Sequence, residues 1–291
     1  MKTIIKRNLT EVPYDAEKIR VAIRKSFVSV GEECDSERLD SLIEQIEMRF
    51  HGVEMAEVEE IQDAVEVVLM KNDCYDVAKS YILYREKRTS LRRIRSKLIK
   101  DVGDEGLERI FHKIQRDFQD YDLSRLRAKY IAMNKDEMDL DSRLKLLTKS
   151  AEELTSQEEP NWEKIAGRVL SYVFHRELAE TEENLSISGF YNKIKYLTDE
   201  GLYGQYILEN YDKNEIDQIE AKIDNTRNDL FTYSGLDLLI HRYIIHNHSH
   251  VSLESPQEMF MGVAMQLAMG EKEDRLFWVE KFYDILSLQK V

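Results

Sequence analysis

Cysteine is scarce: Cys34 and Cys74 are the only two, and they share neither a CxxC spacing nor a histidine at metal-ligand distance. That leaves reduced structural thiols and no catalytic or metal-binding cysteine. Only 3 prolines and 11 glycines occur in 291 residues that are 42% apolar, the composition of a helix-rich globular chain rather than a disordered one. No apolar run approaches the roughly 18 to 20 residues of a membrane span. The opening MKTIIKRNLTEV carries charges where a signal peptide has its apolar core, so the expectation is a cytoplasmic protein with no membrane partner. Neither GxxxxGK[ST] nor GxGxxG is present, which excludes a P-loop and a Rossmann turn. Positive charge is in deficit, and a net charge of −14 makes the surface as a whole a poor partner for nucleic acid.

Against that background two basic clusters stand out: Lys6, Arg7 and Lys18 near the start, and the run from Arg85 to Lys100. The segment around Ile4 and Lys6 and the segment around Val12 and Tyr14 alternate apolar and polar residues about Asn8-Leu9, the pattern of a short β-hairpin. Asp15 then caps a helix whose apolar stripe is Ile19, Ala22, Ile23 and Phe27, with Gly31 past its end. Stripes such as Ile61, Val65, Val68, Leu69 predict helices over about 36–50, 56–71 and 74–100. Signals weaken between 100 and 160, where loops and short helices are expected. Tyr75-Asp76-Val77-Ala78 before Tyr84-Arg85 echoes Trp162-Glu163-Lys164-Ile165-Ala166 before Tyr172 and Arg176. Residues 96–176 are therefore either a degenerate second copy of the first fold or a chance likeness of two amphipathic helices.

The last third has one well-marked start signal. Ser255 serves as N-cap with Pro256 at the first helical position and Glu258 completing a capping box. A final helix carries Phe277, Trp278, Phe282, Tyr283 and Ile285, more aromatic surface than a chain end needs to itself. His241, His246, His248 and His250 crowd one stretch. An HxHxH strand would aim three imidazoles one way, whereas a polar loop between helices explains the same residues without a metal.

Phosphate recognition needs cations and free backbone N–H groups at one point. Lys18 lies in the first turn of the Asp15-capped helix, where a cation works against the macrodipole unless an anion is bound. The hairpin is expected to lead Lys6 and Arg7 toward the same point. Spacing alone is equally compatible with three basic residues on a solvated face.

The strings IIKRNLTEVPYDAEKIRVAI, VEEIQDAVEVVL and AKSYILYREKR resemble the ATP-cone family in order and spacing over about residues 3 to 92. That resemblance implies a hairpin-plus-helix module that binds ATP or dATP, with or without Mg2+, and governs the enzyme it precedes. It puts phosphate contacts on Lys6, Arg7, Lys18 and Lys87, and a closing segment on Val12, Tyr14, Asp15, Glu17 and Lys18. Gln62 falls on a polar family position facing the ligand. Val58 stands where several family members have threonine, so no hydroxyl is available there. Asn8-Leu9 replaces the usual Asp-Gly turn.

NDLFTYSGLDLLIHRYI, ESPQEMFMGVAMQLA and WVEKFYDILS resemble the helical segment of class I ribonucleotide reductase large subunits, directly before their catalytic barrel. Tyr233, Arg242, Tyr243, Pro256, Gln257 and Tyr283 fall on recurrent positions of that segment, where packing helices is the expected role. The implied fold is mainly α: an ATP-cone of hairpin and helix bundle over 1–95, a helical segment over 96–176, and a reductase helical domain over 177–291. The implied partners are the remainder of the large subunit with its barrel, the radical-generating small subunit, and further copies in a nucleotide-dependent homo-oligomer. The family's thiyl-radical and redox cysteines lie beyond this segment, so the chain alone is expected to be inactive. The other readings are a nucleotide-sensing regulator, for which a zinc ribbon is missing, and a ligand-free helical interaction module.

Overall fold

The computed structural model describes residues 2–7, 9–135 and 137–290. The chain divides into two compact units, Met1–Arg93 and Ile94–Val291.

In the first unit β1 (Thr3–Ile5) pairs antiparallel with β2 (Glu11–Pro13), with Ile4 opposite Val12. This is the hairpin that the alternation predicts. Asn8 of its turn lies outside the described residues, and Leu9 adopts a left-handed φ of 63°. A third strand, β3 (Met55–Glu57), runs parallel to β1 on its other edge, giving the order β2-β1-β3. Three residues with one buried side chain, Ala56, are too short to show a period of two, and the segment reads in sequence as the start of a helix.

Four helices complete the unit among the described residues: α1 (Ala16–Ser29), α2 (Ser36–Met48), α3 (Val58–Lys71) and α4 (Tyr75–Val102), whose later turns belong to the second unit. Asp15 caps α1 by accepting the Glu17 N–H, and Asp35 caps α2 by accepting the Arg38 N–H. Ile23, Phe27, Leu39, Leu42, Ile46, Val65, Leu69 and Val77 make the core, all buried. Cys74 is buried there, and Cys34 packs partly buried against it.

The second unit contains no strand longer than an isolated bridge among its described residues. Where loops and short helices were expected, α5 (Leu107–Asp117), α6 (Leu123–Met133) and α7 (Leu140–Glu152) are full helices of three to four turns. Asp122 and Asp139 cap α6 and α7, and burial of Phe111, Tyr130 and Leu147 around Trp162 packs these short helices together. α8 (Trp162–Asn184) runs along this core. α9 (Phe190–Asp199), α10 (Tyr206–Asn210) and α11 (Lys213–Glu220) follow, then a 3-10 turn at Asn225–Leu230 and α12 (Tyr233–Arg242). The capping box at Ser255 opens α13 (Pro256–Ala268) as its sequence indicates, and α14 (Arg275–Ser287) packs along it. Among the described residues no helix is long and apolar enough to cross a membrane.

Candidate functional site

β1 lies parallel to β3 with Ile5 opposite Glu57, and β3 leads straight into α3. The residues after Ile5 therefore emerge beside the first turn of α3. Arg7 donates through Nη2 to Oε1 of Gln62 at 3.0 Å, and its Nε pairs with the Glu59 carboxylate. Val58 sits partly buried in the same turn, and the Lys6 side chain is exposed on the hairpin, its backbone N–H bonded to the Thr10 carbonyl at 2.9 Å. Arg7, Val58 and Gln62, distant in sequence, are thus brought together.

Lys18 is not among them. The β1–β2 register puts Pro13 opposite Thr3, so the chain enters α1 from the Thr3 end of the sheet, whereas Lys6 and Arg7 follow its Ile5 end, with β1 itself roughly 7 Å long at 3.3 Å per residue. By strand register the hairpin cations and the α1 N-terminus follow opposite ends of β1, and a ligand engaging both has to reach along that strand. Lys18 Nζ rests 3.5 Å from Asp15 Oδ2, and Glu17 pairs with Arg20 at 3.2 Å. The first turn of α1 thus neutralises its own cations. The Tyr14 hydroxyl is buried beside Glu47. Burial first, then the neighbouring Glu47 carboxylate, raises its pKa.

A groove of about 260 Å³ between α1 and α4 is lined by Lys18, Val21, Lys25 and Ser29 on one side and by Ser80 and Tyr84 on the other. Two ammonium groups and no carboxylate line it. Lys87 is exposed on α4 three residues after Tyr84 and so on the same face. Lys25 and Tyr84 escape a reading of the sequence, although Lys25 repeats Lys18 two turns on, at the period that shares one helix face.

The remaining singled-out residues separate into packing and surface. Tyr283 donates to Gln257 at 2.9 Å and accepts the Asp224 N–H, and Gln257 in turn donates to Asn228 at 2.8 Å; Tyr283 and Gln257 are fully buried. Pro256 is buried in the first turn of α13, and Tyr233 packs partly buried at the start of α12. Arg242 and Tyr243 do not pack: both are exposed. Only His246 of the histidine stretch takes part in a strand-like bridge, with Ser252, while His250 turns with φ 61°. No group of three metal-ligating side chains forms among the described residues. In the basic run, Arg85 pairs with Asp63 and Glu66 at 2.5 and 2.7 Å and Arg95 with Glu108 at 2.9 Å, the acidic neighbours that the charge pattern implies.

Residues 2–90 match the ATP cone domain family, and residues 229–291 match the family described as ribonucleotide reductase, all-alpha domain. The ribonucleoside-diphosphate reductase subunit alpha of Treponema pallidum is 41% identical over 99% of this chain, which spans 35% of that relative's length. The corresponding subunit of Chlamydia pneumoniae is 28% identical over 98% of this chain and is covered over 30% of its own length. A vitamin B12-dependent ribonucleoside-diphosphate reductase of Thermoplasma acidophilum is 44% identical over 32% of this chain, with 12% of it covered. The chain thus spans about a third of the length of the curated relatives that it matches end to end. Its two matched segments belong to the ATP cone domain and to the ribonucleotide reductase all-alpha domain, joined in one chain that is similar over its length to part of reductase alpha subunits.

Proposed function

We propose that the first unit binds ATP or dATP as an allosteric effector and that the chain regulates ribonucleotide reduction in deoxyribonucleotide synthesis. One observation carries this reading: within the segment matching the ATP cone, a groove lined by Lys18, Lys25 and Tyr84 holds two cations, an aromatic ring and no carboxylate. A polyanion with a flat base suits that lining. Phosphates draw the Lys18 ammonium away from Asp15 and reverse its unfavourable placement against the α1 dipole. Arg7, Gln62 and Val58 at the α3 N-terminus form the second set of contacts, Val12, Tyr14, Asp15 and Glu17 close over the nucleotide, Lys6 and Lys87 add charge from the hairpin and from α4, and Mg2+ accompanies the triphosphate where it is bound.

ATP activates and dATP inhibits if the two favour different packings of the cone against another subunit, which requires different affinities for two assembly states. The partners are the remainder of a large subunit, a radical-generating small subunit and further copies of the chain, all in the cytoplasm. We assign no catalytic role here. Cys74 is buried in the first unit's core, out of reach of a substrate, and Cys34 is raised in pKa by burial, so neither thiol is placed as a nucleophile.

Isothermal calorimetry tests the proposal. Micromolar-range binding of ATP and dATP by the wild-type chain supports it, and absence of heat for both, with no thermal shift, leaves a ligand-free helical module instead.

A further inference from the structure

The second unit contains a carboxylate that its surroundings do not neutralise. Glu254 is 2% exposed, and it accepts the Tyr203 hydroxyl on Oε2 at 2.7 Å and the Ile245 N–H on Oε1 at 3.0 Å, both uncharged donors. The nearby ammonium, Lys193, is already committed. Its Nζ reaches both Glu258 oxygens at 2.6 and 2.7 Å and pairs with Glu182 as well. Glu258 also accepts the Ser255 N–H at the start of α13. Lys193 therefore serves two carboxylates, and the third, Glu254, is left without a counter-charge, a costly state for an ion this deeply buried.

Glu254 also lines an open cavity of about 330 Å³, within the size range of small-molecule sites. The walls are apolar and aromatic, and no cationic side chain lines them. Its rim residues Tyr206, Tyr243 and Leu267 are 45, 61 and 53% exposed, a large apolar display for one place on a surface. Gly262 makes the arrangement fit. A Cβ there falls 2.6 Å from the Tyr203 hydroxyl, so any other residue disturbs the ring that holds Glu254 in place.

We propose that this cavity binds a small organic ammonium ion with an apolar body, its charge on Glu254 and its body against Tyr206, Tyr243 and Leu267. The buried carboxylate supplies the missing half of an ion pair, and the tyrosine faces add cation–π attraction. An anion is repelled, and a neutral ligand of the same shape keeps only the apolar contacts. Without a ligand a proton neutralises Glu254, because burial raises its pKa to about 7. Binding then exchanges one cation for another: the carboxylic acid releases its proton to solvent and the ammonium pairs with the carboxylate. Lys193, Glu182, Glu258 and the Tyr203 hydroxyl are the charged and titratable groups that face this exchange.

The test uses the 291-residue chain and benzylammonium chloride, with benzyl alcohol and benzoate as neutral and anionic counterparts, followed by ligand-observed NMR titration. Saturable benzylammonium binding at least tenfold tighter than benzyl alcohol, with no benzoate binding, is the expected result. Glu254→Gln, which preserves side-chain shape, is expected to remove that tenfold preference and leave benzyl alcohol binding intact. Wild-type affinity for benzylammonium should also strengthen between pH 6 and pH 8, a readout that stands even if the variant does not fold. Equal affinity for amine and alcohol, absence of saturable binding, or a flat pH profile overturns the proposal.

Discussion

Lys18 is poorly placed in the free protein and, if the proposed nucleotide binds, well placed with it. It stands 74% exposed in the first turn of α1, tied only to Asp15, where the dipole costs it some tenths of a kcal/mol. Replacing it with alanine should barely change the melting temperature but weaken ATP and dATP binding ten- to a hundredfold, since a hydrogen bond to a charged group is worth about 1.5 to 3 kcal/mol. Calorimetry on the variant checks this. Arg7 behaves in the opposite sense: its guanidinium is already bound to Glu59 and Gln62. Glu59→Gln should tighten nucleotide binding several-fold, as about 1 kcal/mol of competing surface ion pair is released.

Glu254 carries a separate prediction for stability. Its folded pKa of about 7 stands above the ordinary 4.5, so between those values the native state holds a proton that the unfolded chain has lost. The stabilisation is complete below about pH 4.5 and disappears as pH rises through 7, a change on the order of 3 kcal/mol. Urea unfolding at pH 5 and pH 8 should show wild type losing ground to Glu254→Gln by part of that amount.

Among the elements, the helices with a strong local signal are the ones that the sequence predicts. Asp15, Asp35 and the Ser255 box each satisfy N–H groups at a helix start, and such caps operate within a few residues. β3 lacks any local signal because three residues form a strand only when β1 offers its free edge. α5 and α7 do carry apolar stripes, Leu107, Ile110, Phe111, Ile114 and Leu140, Leu144, Leu147, Ala151, but each is short and set between polar breaks, and only burial around Trp162 shows that they are full helices. Close approach of elements is a further non-local feature. A Cβ on Gly167 in α8 falls 2.9 Å from the backbone oxygen of Phe231, just before α12. Gly167→Ala should cost roughly 1 to 3 kcal/mol as the two backbones are forced apart, measurable as a lower urea midpoint with an unchanged slope.

For the molecule as a whole, the assembly proposal leads to one measurement. If ATP and dATP favour different packings of the cone, size-exclusion chromatography of the chain with each nucleotide should give different elution volumes, and Lys18→Ala should abolish the difference. The sequence by itself determined the leading hairpin, the capped helices and the absence of P-loop and Rossmann motifs, because periodicity, capping and motif are properties of neighbouring residues. Only the tertiary structure decided that Arg7 meets Gln62 across 55 positions while Lys18 faces a groove with Tyr84, and that Glu254 is left without a cation. Those outcomes depend on strand register and on which faces the helices bury, and both arise from contacts between residues far apart in the chain.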